Sequence, residues 1–174
     1  MREPTWVVGA VGCAGFILFG AAFVSAVFAE GIVIFPVVLA AVAFALFPLL
    51  LYRRAGIVGK AAHVAGLAAI IAAVWPPPGP EASRGWVGWF GTAAMVIGSA
   101  VFGTAAWRVG ERFDAAVWYL AAAALGVGMV SAAVGWDAGE TGALFAVPSL
   151  WFVLGLRALD PERRASPGTQ GHQG

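Results

Sequence analysis

The chain has 174 residues, of which 61% are hydrophobic and 11% charged, and its formal net charge is +1. A soluble domain carries roughly 45–50% apolar and about 25% charged residues, and a chain of this length still exposes much of its surface on folding. A soluble globular class is therefore excluded, and the lipid bilayer becomes the natural solvent and partner. No dense basic cluster points to nucleic acid, and the single cysteine, Cys13, excludes an internal disulfide and any multi-cysteine metal or redox motif.

Residues 1–5 form a short polar start, and the apolar run 6–29 predicts a first spanning helix, since a span needs about 20 residues. Gly9, Gly12, Cys13, Gly15 and Gly20 would let a neighbouring helix approach closely, although Gly is also simply commoner in membrane helices. Val27-Phe28-Ala29 resembles a signal-peptidase site behind Arg2. Glu3, Pro4 and a run longer than the usual stretch of roughly 7–15 residues argue instead that this span is retained. Glu30-Gly31 is the only break before the second span, 32–52, and a loop this short makes the two helices antiparallel neighbours. Pro36 falls in its first turns and Pro48 near its end, where a mild kink is expected before Arg53-Arg54.

The third span, 57–75, places Gly56, Gly59, His63 and Gly66 on one helix face. A histidine inside a span is a functional candidate, while its nearness to the arginine pair also suits a headgroup or carbonyl contact. Trp75-Pro76-Pro77-Pro78-Gly79-Pro80 cannot continue a helix and divides the chain into two hydrophobic halves. On the fourth span, 86–107, Gly88, Thr92, Ser99 and Gly103 form a stripe. It suits tight packing with modest interhelical hydrogen bonding, the alternative being a polar pathway.

Arg108, Glu111, Arg112 and Asp114 read as a solvated turn, followed by a fifth span, 115–135, with Ala124, Gly128 and Ala132 as a close-packing edge. Residues 136–141 read as a loop before the sixth span, 142–159. Pro148 should bend that span, because it leaves the Leu144 carbonyl without its usual partner. Together with Ser149 and Trp151 it marks a face directed at an internal cavity, since a freed carbonyl and a buried indole N–H both need partners. Residues 160–174 are polar and are expected to form a disordered cytoplasmic tail.

The fold class expected is all-α, a polytopic membrane bundle of six transmembrane helices in one domain, 1–159. Trp6, Gly15, Phe19 and Gly20 recur at a constant offset as Trp89, Gly98, Phe102 and Gly103, a weak sign of a 3+3 inverted repeat. Nine of the ten basic residues fall on the side of the termini and the second and fourth loops; only Arg84 falls opposite. By the positive-inside rule both termini face the cytoplasm. Trp6, Trp107 and Trp118 at inner ends, and Trp75, Trp86, Trp89 and Trp136 at outer ends, read as interfacial belts, with Trp151 alone deep in a span. One lysine against nine arginines, amid abundant Ala and Gly, reads as the coding bias of a GC-rich bacterial genome and hence a plasma (inner) membrane location.

The chemistry-bearing residues are few. Glu30, Glu81, Asp137 and Glu140 lie at outer boundaries, not at a midplane, which disfavours an ion-driven pump. They could gather as a weak cation site, but are more simply solvated loop charges. His63 is the only histidine within a span, so a two-histidine haem site is not expected, nor is any other cofactor or metal. Neither Ser99 nor Ser131 has an evident base, so no catalytic constellation is present and no enzyme is expected. The reading is a non-enzymatic helix-packing subunit or accessory protein, as a homo-oligomer or beside another membrane protein. The alternative is a small permease or channel for a neutral or weakly polar solute. Candidate cavity-lining residues are Pro148, Trp151, Ser149, His63, Ser99 and Thr92.

Overall fold

The computed structural model describes residues 5–28, 56–74 and 81–160, with 39–40, 42–44, 46–47 and 49 between them. The Glu30-Gly31 break, Pro36, Pro48, Arg53-Arg54, the proline connector 75–80 and the tail 161–174 lie outside the described residues. Those residues build helices and no strand: α1 (Thr5–Phe28), α2 (described positions between 39 and 49), α3 (Ile57–Val74), α4 (Glu81–Arg108), α5 (Arg112–Val134) and α6 (Asp137–Leu159). Uninterrupted apolar runs favour this outcome, because a helix satisfies its own backbone hydrogen bonds where no water can. Three helices are long and apolar enough to cross a membrane, namely Val87–Arg108 within α4, α5 and α6, with mean hydropathies of 1.4, 1.8 and 1.7. The described residues of α1 and α3 add shorter apolar stretches, Trp6–Ala21 and Ile57–Ala69.

Two connections are tighter than the sequence predicts. Between α4 and α5, Gly110 takes a left-handed φ of 83°; its N–H bonds the Trp107 carbonyl at 3.0 Å, and the Glu111 N–H bonds that of Ala106 at 3.0 Å. Between α5 and α6, Gly135 has φ 69°, and the Trp136 N–H bonds the Ser131 carbonyl at 2.8 Å. Both use the glycine-terminated helix end that returns orphan carbonyls to hydrogen bonds. The expected loop 136–141 is accordingly helical from Asp137 onward. Asp137 and Glu140 occupy the first turn of α6, where negative charge suits the helix dipole.

The helices form an antiparallel ring. α3 packs on α4, α4 on α5, α5 on α6, and α6 returns to α1. α2 joins the ring through α1, where a methyl group at Gly12 would lie 2.8 Å from the Phe47 ring and one at Gly15 2.9 Å from Phe44. One end of the ring, the arginine end, carries Arg108, Arg112 and Arg157; the other carries the Gly135–Trp136 turn. Glycine decides the closest approaches. A Cβ at Gly66 would lie 2.6 Å from the Gly91 carbonyl oxygen, and one at Gly98 3.0 Å from His63 Cβ, so α3 and α4 touch backbone to backbone. Gly59 meets Val101 in the same seam. Three residues of the face expected on α3 (Gly59, His63 and Gly66) therefore form its contact with α4, while Gly56 has open space around it. Gly9 and Gly12 give α1 the same closeness to Gly155 of α6.

Candidate functional site: a buried histidine in an aromatic plug

The centre of the ring is filled by side chains from five helices. Phe44 (α2), His63 (α3), Phe102 (α4), Trp118 (α5) and Trp151 (α6) are all buried. Their ring centroids are 5.0 Å apart for Phe44–Trp151, 5.3 Å for His63–Trp151, 5.5 Å for His63–Phe102 and 5.2 Å for Phe102–Trp118. Most of these pairs are tilted or edge-on, the arrangement that aromatic quadrupoles favour. Phe47 extends the cluster toward Gly12 of α1.

His63 is the polar centre of this plug. Its Nε2–H donates to the Phe44 carbonyl at 3.2 Å, which links α3 to α2 and fixes the tautomer of the neutral ring. That bond realises the carbonyl contact weighed for it above. Among the described residues Nδ1 has no hydrogen-bond partner, and neither has Ser99 Oγ nor Trp151 Nε1. Ser99 reaches the same region through α4: it follows Gly98, whose backbone lies against His63, and precedes Phe102 by one turn.

The other residues marked in the sequence differ in their surroundings. Pro148 is buried on α6, which runs unbroken through it. Ser149 is exposed, and its hydroxyl donates to the Phe145 carbonyl of its own helix at 2.8 Å. Thr92 is half-buried and likewise donates to the Gly88 carbonyl at 2.9 Å. Of the α5 edge, Gly128 meets Ala143 of α6, while Ala132 is exposed; the next close contact is made by Ser131 and Gly139. Trp118 departs from its expected interfacial place and is fully buried in the plug. Trp6, Trp107 and Trp136 are exposed, with Arg112 stacked over the Trp107 ring at 5.9 Å. The side chains of Trp75 and Trp86 lie outside those described.

One functional-looking group was not legible as such. Asp114, read as part of a solvated turn, is 1% exposed, and its Oδ1 lies 3.1 Å from Arg157 Nε, a close ion pair between α5 and α6. The Arg157 guanidinium also covers the Phe113 ring at 4.1 Å. The signal was one of register: Asp114 precedes Trp118 by four residues, so the two share a face. Among the described residues no three His, Cys, Asp or Glu side chains gather as a metal site. An open, apolar groove of about 550 Å³ lies between α4 and α5 toward the Trp136 end, lined by Trp89, Ala93 and Ile97 on one side and Gly126, Met129 and Ala133 on the other.

Among the described residues, three membrane-length helices in an all-helical arrangement around an aromatic core define a membrane-embedded helical bundle. Comparison with protein-family models, with curated proteins and with solved structures finds no match.

Proposed function

We propose that the protein is a six-span component of the plasma (inner) membrane, with both termini cytoplasmic, that acts without catalysis as a packing subunit or accessory of a larger membrane assembly. The observation that carries this reading is the filled interior: rings from five helices interlock where a solute path through the bundle would run. The outer surface supports it, because α4 and α5 leave an open apolar groove that a neighbouring helix or a second copy could enter. The orientation rests on the basic residues. Arg108, Arg112 and Arg157 share one end of the ring, and the positive-inside rule assigns that end to the cytoplasm.

Native mass spectrometry after mild extraction should find the protein bound in fixed stoichiometry to a second copy or another membrane protein. A monomer under every mild condition would end the packing reading. Orientation is checked separately with an impermeant thiol reagent in a Cys13-free background: Ala138→Cys should label in intact cells and Ser166→Cys should not.

The transport reading is favoured by one observation, the buried polar atoms of His63, Ser99 and Trp151 that have no hydrogen-bond partner among the described residues. It gains if reconstituted vesicles show a saturable flux of glycerol or urea that Ser99→Ala abolishes. The 3+3 relation between the halves fits a ring in which α3·α4 and α6·α1 are equivalent closing contacts.

A further inference from the structure

His63, Ser99 and Trp151 are 0%, 0% and 2% exposed, and each carries a polar atom with no hydrogen-bond partner among the described residues. Buried polar groups in folded proteins are satisfied by protein or by ordered water, because leaving one dry forfeits its hydration with nothing in return. Here three such atoms belong to three different helices, α3, α4 and α6, each of which also sends a ring into the plug. The imidazole and indole centroids are 5.3 Å apart, and on α4 the buried Ser99 directly follows Gly98, whose backbone touches His63, and precedes by one turn Phe102, whose ring is 5.5 Å from the imidazole.

Their hydrogen-bonding characters are complementary. With Nε2–H donated to Phe44, the neutral ring offers a lone pair at Nδ1. Trp151 Nε1–H can only donate, and the Ser99 hydroxyl can do either. A cation would meet an N–H dipole of the wrong sign, and an anion would meet the Nδ1 lone pair. A small neutral molecule that both donates and accepts fits all three, and buried water typically makes about three hydrogen bonds in such surroundings.

We propose that His63, Ser99 and Trp151 hold an internal water molecule at the centre of the bundle, hydrogen-bonding α3, α4 and α6 to one another. This water stands apart from the packing reading, which concerns what the outer surface meets, and it engages the same polar atoms on which the transport reading rests. It also gives α3 and α6 a polar link across the ring, where they otherwise meet through the aromatic faces of His63 and Trp151.

Magic-angle-spinning NMR on the full chain in liposomes tests it. In a His172→Ala background labelled with 15N-histidine and 15N-tryptophan, His63 is the single histidine. The Nδ1 signal should lie upfield of a bare pyridine-type nitrogen, and water-edited transfer should reach both the His63 ring and the Trp151 Nε1–H, the latter assigned by its loss in Trp151→Phe. Ser99→Ala should shift Nδ1 while the remaining spectrum keeps its folded pattern. A bare Nδ1 would overturn the proposal. So would a hydrogen-bonded Nδ1 that receives no transfer from water, the sign of a direct bond to Ser99. Transfer to one of the two rings and not the other would also overturn it, because the three groups would then not share a site.

Discussion

Helix α4 makes two very different contacts with its two neighbours. Toward α3 it is closed along its length: Gly66 faces Gly91 and Met95, His63 faces Gly98, and Gly59 faces Val101. Toward α5 it is closed only near the arginine end. There Gly103 lies against Tyr119, and the Tyr119 hydroxyl donates at 3.1 Å to Thr104 Oγ1, whose own hydrogen goes to the Ala100 carbonyl. Farther along, the two helices leave the groove between Trp89 and Ala133. The difference teaches that hydrophobicity alone does not bring membrane helices together, because lipid tails are as apolar as the helices themselves. Close approach follows glycine on at least one partner, as at Gly66, Gly98 and Gly59, and stops where bulky residues such as Trp89 and Ile97 line the open side.

The largest expected effect breaks the closed contact. Gly98→Leu drives a side chain into the His63 backbone, which cannot swing aside, so destabilisation should exceed the ~1–3 kcal/mol usual for overpacking; folded yield in detergent and thermal melting would show it. Next comes the ion pair at the arginine end. Arg157→Gln leaves a carboxylate at 1% exposure without its guanidinium, and should cost about 1–3 kcal/mol, the range for depriving a buried polar group of its partner. Asp114→Asn should cost less, because Arg157 is 35% exposed and retains solvent; equal losses in the two melting curves would contradict this asymmetry.

Smaller effects sharpen the comparison from its open side. At Gly103 a new side chain meets the Tyr119 ring at 3.0–3.2 Å, and that ring is half on the surface and able to turn away. Gly103→Leu should therefore lower the melting temperature measurably but less than Gly98→Leu. The smallest effect belongs to the groove: Ala93→Phe fills open space and should change stability by no more than about 0.5 kcal/mol, as surface changes do. If Ala93→Phe unfolds the protein as Gly98→Leu does, the distinction between a closed and an open face of α4 fails.

The residues carry the helical class on their face. Runs such as 6–28 and 115–134 leave no other structure that satisfies a backbone in lipid. That Gly59, His63 and Gly66 share one face was likewise legible from their helical spacing, though not that this face meets α4. The turns were less so: a left-handed Gly135 lets α6 begin at Asp137, and nothing local distinguished that glycine from the others nearby.

The site shows the same division. His63, Ser99 and Trp151 could each be singled out as polar groups in apolar runs, but Ser149 and Thr92 looked equivalent to them. Which hydroxyl turns back to its own helix and which is buried at the centre depends on the rotation of each helix about its axis. That rotation is set by neighbours on other parts of the chain. The same reason hid Asp114 and Trp118, which sequence alone placed at a membrane boundary and which the packing of α5 on α4 and α6 buries. The sequence by itself determined that the chain is helical, apolar enough for a membrane, and marked along α1, α4 and α5 for close contact. Only the tertiary structure decided which ring, hydroxyl and carboxylate share the interior, because periodicity specifies a face and only a packed neighbour says what that face meets.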